Sequence, residues 1–470
     1  MFCTQMIARS ALIVLFFTSL PAAAVPTVFP TGTTIYKPDK AYNGYNLVGM
    51  SWWGGDTYLV DMNGNTLKVF EGLIGHSAYI LPGGYILGQT GSVKKAHAEQ
   101  RDWDGNVVWR FEGAYMSHDM NREGFPAGYY SPEASPKTLG GRTLLNAQYP
   151  EPKGARARPE IIRSHKVQGQ YILEVDWDGN VLFEWNLNDH FEALGLSPAA
   201  KIALQTNPSM HFINLGVGNY VDWAHINTMS WLGPNQWYDA GDERFHPENV
   251  LWASRNTSIL GITSRKTGEI VWKVGPDYSS TQALLDLGPI LGSHGAHMIP
   301  KGLPGAGNLL IFDNGGRSMY GTPSESSPEG RNVEKRIFSR VIEINPVTLE
   351  IVWSYTAQDA GHATRRNQHQ FFSPFQSNVQ RLPNGNTLVT EAVYGRMFEL
   401  TPNHEIVWEF IEPNWREHGS NLPVFRGYRV PFDYIPQLEP PEATAVTPPS
   451  LREFRLKAQG EKVAEPYVKR

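Results

Sequence analysis

Apolar and polar positions along the chain fall into short runs, and one combination returns six times: a turn former, a short aliphatic strand and a closing aromatic. It reads DMNGNTLKVF at Asp61–Phe70, DWDGNVVW at Asp102–Trp109 and DWDGNVLFEW at Asp176–Trp185. It continues as KTGEIVW at Lys266–Trp272, PVTLEIVW at Pro346–Trp353 and TPNHEIVW at Thr401–Trp408. An apolar segment such as TYLVD, YILEVD, SRVIEI or GRMFEL precedes most copies. Each copy therefore predicts strand, tight turn, strand: a β-hairpin with an aromatic at a fixed place. A further turn, LPGGYIL at Leu81–Leu87 or LPNGNTLV at Leu382–Val389, leads into another strand. Its Gly-Gly and Asn-Gly pairs supply the positive φ that such turns require.

Repeats of about 40 to 50 residues with several strands each are the signature of a β-propeller. Six copies predict an all-β, six-bladed β-propeller. A pair of β-sandwiches with coincidental hairpins would not place an aromatic at the matching point six times. The copies are unevenly spaced, which predicts long inter-blade insertions around Gly124–Pro159, Leu187–Asn219 and Ser318–Lys335. Val25–Asn46 is expected to be a lead-in strand, and Gln437–Arg470, rich in Pro, Glu and Lys, an extended tail.

Composition adds an address. The 470 residues carry a formal charge of −5, so nucleic acid is not an expected partner. Arg9 followed by the apolar run Ala11–Leu20 and the small residues Ala22–Ala24 has the form of a secretory leader. The run is too short to span a bilayer, which favours cleavage before Val25 over a retained membrane anchor. The expected division is a signal peptide at 1–24, a propeller at 25–436 and a tail at 437–470, in a periplasmic or secreted protein with no membrane attachment after cleavage. The single cysteine, Cys3, would leave with the leader, so the mature chain would have neither a disulfide nor a thiolate nucleophile.

Candidate chemistry rests on histidines that recur near the start of a strand. They are His118 in MSHDM, His225 in DWAHINTMSW, His294 in GSHGAH and His369 in NQHQFFSPF. In a propeller the innermost strands line a central channel, so one histidine from each of several blades can converge there. One neutral imidazole can serve as nucleophile, a protonated one can donate to a leaving oxygen, and an arginine can hold an oxyanion. Arg317, which follows the strand-like LLIFD and the turn after it, pairs with His294 in this scheme. Arg255 in WASRNTSIL adds a second cation, with a blade-edge ion pair as its alternative role. A lone histidine is more often structural, and His76, His97, His165, His190, His211, His246, His404 and His418 are left as structural or solvated. Zinc or copper binding competes, but HGAH alone is a weak ligand motif and a metal-free site is preferred.

From about Asn43 to Tyr434 the chain resembles the PAPS-independent bacterial arylsulfotransferases. The resemblance is carried by NGYNLVGMSWWGGDTYLVDMNGN, the WDGNVVW copies, DWAHINT, SRNTSI and the HGAHMIP…PGAGNLLIFDNGGR block. FFSPFQSNVQRLPNGNTLV and VFRGYRVP complete it. It implies a six-bladed propeller that moves a sulfuryl group from a phenolic sulfate ester to a phenolic acceptor. The implied route is ping-pong through a sulfated histidine, with no nucleotide cofactor and no metal. Carried over, it makes His225, His294 and Arg317 the groups that bind and polarise the sulfate. It implies a nucleophilic histidine further along, for which His369 is the nearest candidate and His362 the next, with His118 and His294 as substitutes. His118 and Arg255 are otherwise expected to bind substrate. Two other readings compete: a quinoprotein-like dehydrogenase, whose chains share TG-x-x-x-W hairpins, and a non-catalytic propeller that binds a ligand.

Overall fold

The computed structural model describes residues 31–50, 56–91, 96–125, 127, 129–149, 153–206, 212–213, 220–316, 336–362, 368–413 and 424–447. The six hairpins expected from the repeats are the outer halves of six antiparallel sheets. Blade 2 runs Leu73–Leu81, Tyr85–Thr90, His97–Arg101, Val107–Phe111 from the inside out. Blade 3 is Tyr115–Arg122, Thr143–Gln148, Tyr171–Val175, Val181–Asn186. Blade 4 is Ile226–Trp231, Val250–Ser254, Ile259–Thr263, Ile270–Val274. Blade 5 is His294–Met298, Leu309–Asp313, Arg340–Ile344, Ile351–Tyr355. Blade 6 is Asn378–Arg381, Thr387–Glu391, Arg396–Leu400, Ile406–Ile411, with the lead-in strand Gly32–Tyr36 added outside it. Blade 1 combines Tyr45–Met50, Thr57–Val60 and Thr66–Phe70 with an innermost strand from the other end of the chain, Val424–Val430. Each innermost strand touches the next, and the contact between Val424–Val430 and Leu73–Leu81 closes the ring. The chain is an all-β propeller.

Burial follows position in the blade. In blade 5 the two inner strands are buried throughout, whereas Ile351–Tyr355 is buried only at its last residue. A strand buried on both faces reads as a continuous apolar run, which is why LLIF stands out in the sequence. The repeated aromatic closes the joint between blades. The indole N–H groups of Trp109, Trp185, Trp272, Trp353 and Trp408 donate to the carbonyls of Trp177, Gly268, Pro346, Pro402 and Met62 at 2.8–3.0 Å. Each acceptor lies in the outer turn of the following blade. The sixth copy ends in Phe70, which has no N–H and meets Trp103 of blade 2 edge-on at 6.3 Å.

The joint between blades 1 and 2 has a different fastening. After the closing strand the chain crosses it, with Gly84 N–H donating to the Tyr434 carbonyl and Gln437 Nε2 to the Gly83 carbonyl, both at 2.8 Å. The first part of the expected tail is therefore docked. Asn63 bonds to Glu442 and Thr444, and Val446 pairs with Tyr36. Residues 448–470 lie outside the described residues, as do the expected leader at 1–24 and the expected insertion Ser318–Lys335.

The first expected insertion needs correcting. Gly124–Pro159 is not continuous decoration, because Thr143–Gln148 within it is the second strand of blade 3. Its alternation is hidden because all but its last residue are buried. The true insertions build a seventh sheet, ordered Ala155–Arg158, Ile162–Gln168, Tyr220–Asp222, Phe212–Ile213. This small sheet delivers one residue to the channel.

Candidate active site

Five blades send a side chain inward from the first half of their innermost strand or the residue before it, and these side chains meet at one level of the channel. His76 and His118 are each the fourth residue of theirs, in blades 2 and 3. His225 immediately precedes the first strand of blade 4, and His294 opens that of blade 5. Phe425 and Arg426 come from the closing strand of blade 1. The His76 and His118 rings stack at 5.5 Å with planes 7° apart, and His118 meets His225 edge-on at 4.5 Å. Phe425 lies among them, 4.3 Å from His76, 6.1 Å from His118 and 6.4 Å from His294. Beside His76, Gly75 abuts the backbone of Gly49 in blade 1, an approach that a Cβ on either residue would prevent.

The histidines are held differently. His225 has φ 57°, a conformation uncommon outside glycine. Asp222, the last residue of its strand in the seventh sheet, fixes it there. One Asp222 carboxylate oxygen accepts the His225 backbone N–H at 3.2 Å, and the other lies 2.5 Å from ring Nδ1. Gln170 braces the pair, donating to Asp222 Oδ1 at 2.9 Å and accepting the Ile226 N–H at 3.0 Å. Burial works against ionising Asp222, but the charges of His225 and Arg255 and the bonds from His225 and Gln170 hold its carboxyl below the usual value. An ionised Asp222 holds a proton of His225 on Nδ1 and leaves Nε2 as the position that gives or takes a proton.

His294 uses both ring nitrogens within the protein. Nδ1 donates to Asn314 Oδ1 at 2.8 Å, and Nε2 accepts the Gln376 backbone N–H at 3.1 Å. Asn314 is fixed in turn by the Ser373 and Gln376 carbonyls at 2.7 and 2.8 Å. His118 makes one hydrogen bond among the described residues, between Nδ1 and Ser117 Oγ at 2.8 Å. It is also the only partly exposed ring of the four, since His76, His225 and His294 are buried.

Beneath the imidazoles lies a buried charged network. Arg426 donates to Asp119 Oδ1 at 2.9 Å and to the Asn227 carbonyl at 2.7 Å. The Tyr79 hydroxyl donates to the same Asp119 oxygen at 2.5 Å, and the Met229 N–H binds the other at 3.0 Å. Burial pushes His76 down to about 3 and holds His118 and His294 well below the ordinary imidazole value, with Arg426 adding to all three. Near neutral pH these three rings are uncharged, the form in which an imidazole nitrogen is a nucleophile.

The sequence profile of the arylsulfotransferase (ASST) family matches residues 155–422, more than half of the chain. The chain belongs to the arylsulfotransferase family. That membership supports aryl sulfotransferase activity with small-molecule aryl donors and acceptors. No curated protein matches the chain. Among solved structures it is similar to a protein of unknown function from Bacteroides caccae, at 13% identity and TM-score 0.41 over 82% of this chain and 98% of that one. It is also similar to a putative 6-phosphogluconolactonase from Bacteroides fragilis, at 10% identity and TM-score 0.38 over 84% and 99%. A β-propeller domain of Cps50 (Swd1) from Myceliophteria thermophila gives 9% identity and TM-score 0.37 over 83% and 89%. At these TM-scores the likenesses add nothing about the site.

Among the arylsulfotransferase candidates, His118, His225 and His294 meet in the channel. Arg255 follows the second strand of blade 4 and contributes positive charge at His294 and Asp222. Arg317 lies outside the described residues; Asn314, three positions before it, is what reaches His294. His369 is exposed in the short turn Gln368–Gln370, beside Gln370 Nε2 at 3.2 Å, and has no ring contact with the channel histidines. Blade 6 offers Gln376 at the corresponding entry. Sequence reasoning does not find His76, although LIGH and YMSH place both histidines at the same offset in their strands. Asp119 and Arg426 sit inside motifs already noted, MSHDM and VFRGYRVP. Asp222 stands at the head of DWAHINT, where spacing alone does not reveal that it turns back onto His225. Among the described residues no group of three or more His, Cys, Asp or Glu has the arrangement of a metal site.

Proposed function

We propose that this arylsulfotransferase moves a sulfuryl group from a phenolic sulfate ester to a phenolic acceptor through a histidine-bound intermediate in the channel. The donor needs no nucleotide in this reading. The observation that carries it is the joining of neutral imidazoles to the Asp222–His225 pair at one level of the channel. A neutral ring can accept the sulfuryl group, and a histidine oriented by a carboxylate can move a proton to and from a phenolic oxygen. Arg426 and Arg255 supply positive potential where the anionic ester would lie. The leader-like segment at 1–24 makes the mature enzyme periplasmic or secreted in this proposal; an exported chain whose first residue is Val25 would agree with it.

The test uses purified mature protein, a chromogenic aryl sulfate, and no added nucleotide or metal. Phenol release that depends on an acceptor phenol, with the sulfated acceptor as product, is the expected result. Release that ignores the acceptor would make the protein a hydrolase. No release across a broad panel of donors would leave a propeller that binds without catalysis.

A further inference from the structure

We propose that His118 is the residue that carries the sulfuryl group, with His225 as its proton-transfer partner. The assignment rests on the histidine-intermediate reading above and goes beyond it by naming the atom. An attacking imidazole needs one nitrogen anchored and the other available. His294 fails this requirement, because Asn314 and the Gln376 N–H occupy both of its nitrogens. His369 fails it by position, being exposed and outside the ring contacts of the channel. His118 meets it: Nδ1 is anchored on Ser117 Oγ, and Nε2 has no hydrogen-bond partner among the described residues. Stacking on His76 sets the plane of the ring, and Phe425 lies tilted against it at 6.1 Å. His225 stands edge-on to it at 4.5 Å, with Asp222 fixing its tautomer.

The chemistry balances with these groups alone. The Nε2 lone pair of neutral His118 attacks sulfur, the N–S bond forms, and the S–O bond to the aryl oxygen breaks. The departing phenolate takes a proton from the His225 imidazolium. The acceptor phenol then returns a proton to neutral His225 as its oxygen attacks sulfur. The N–S bond breaks, and His118 is neutral again.

The deciding experiment is a single-turnover reaction of the full mature chain with an aryl sulfate and no acceptor, followed by peptide mapping under alkaline conditions. The expected result is a burst of one phenol per chain, with one sulfuryl group on the peptide containing His118. His118→Asn, which keeps a donor near Ser117, should unfold in a cooperative transition and lose both burst and label. His225→Gln should keep the label but form it more slowly, the loss being steepest for donors whose phenols are weak acids. A sulfuryl group mapped to any other histidine, or a burst that survives in His118→Asn, would overturn the assignment while leaving the histidine intermediate standing. Acceptor-dependent turnover with no labelled protein would overturn both. The mapping is done on the wild-type chain, so the outcome does not depend on whether a variant folds.

Discussion

Asp222 is the residue whose removal separates chemistry from packing in this site. Asp222→Asn keeps the shape and an acceptor for the His225 backbone N–H, but removes the charge that holds the ring's tautomer. Proton transfer of this kind is worth roughly 10²–10⁴ in rate. Asp222→Asn is therefore expected to lower kcat by about 10²-fold or more, with little change in thermal stability. Rates across a series of aryl sulfates check it: the deficit should grow as the leaving phenol becomes less acidic. The buried imidazoles also set the acid limit of the fold. His76 is held at about 3 and His297 at about 4, against an ordinary value of 6.5, both chiefly by burial. Between those values an unfolded chain binds protons that the folded chain refuses, so stability is complete above 6.5 and falls as pH drops toward 4. Urea unfolding at pH 7, 6 and 5 should show a steadily falling midpoint. A midpoint that rises on acidification would contradict the neutral state assigned to these rings.

At the scale of elements, the repeated hairpins were legible because a turn and an aromatic recur in sequence, and that recurrence has a physical cause. Each tryptophan must sit at the same point of the outer strand to reach the next blade's turn carbonyl. Trp272→Phe keeps an aromatic side chain but removes the N–H bonded to Pro346 together with the five-membered half of the indole. A buried carbonyl left without its donor should cost about 1–3 kcal/mol. Denaturant unfolding measures it, and an unchanged midpoint would show that neither the N–H bond nor the lost ring area supports the joint. The seventh sheet was not legible, because Ala155–Arg158 and Phe212–Ile213 are short strands brought together from distant insertions. With it went the relation of Asp222 to His225, and the bracing by Gln170. His225 and His294 were legible because each stands where a strand begins, and His118 because it lies in the first half of one. His369 follows the same sequence pattern, but the turn at Gln368–Gln370 leaves it on the surface.

The whole molecule is a ring closed by its two ends. Five joints carry a tryptophan bond, and the joint between Phe70 and Trp103 is instead crossed by the chain after the closing strand. Truncation after Pro436 should lower the melting temperature by removing the contacts of Gln437, Glu442, Thr444 and Val446. Truncation after Thr447 keeps all of them and should lower the melting temperature less. Thermal melts of the two chains test this, and equal losses would place the stabilising contacts beyond residue 447. The closing strand has another consequence, in the order of synthesis. Val424–Val430 is the last strand of the ring to leave the ribosome, and it carries both Phe425 and Arg426. Until it arrives, Asp119 lacks its buried cation and the stacked imidazoles lack a wall. The newborn chain thus lacks an assembled site for nearly all of its translation, and the act that finishes the ring also completes the pocket around the imidazoles.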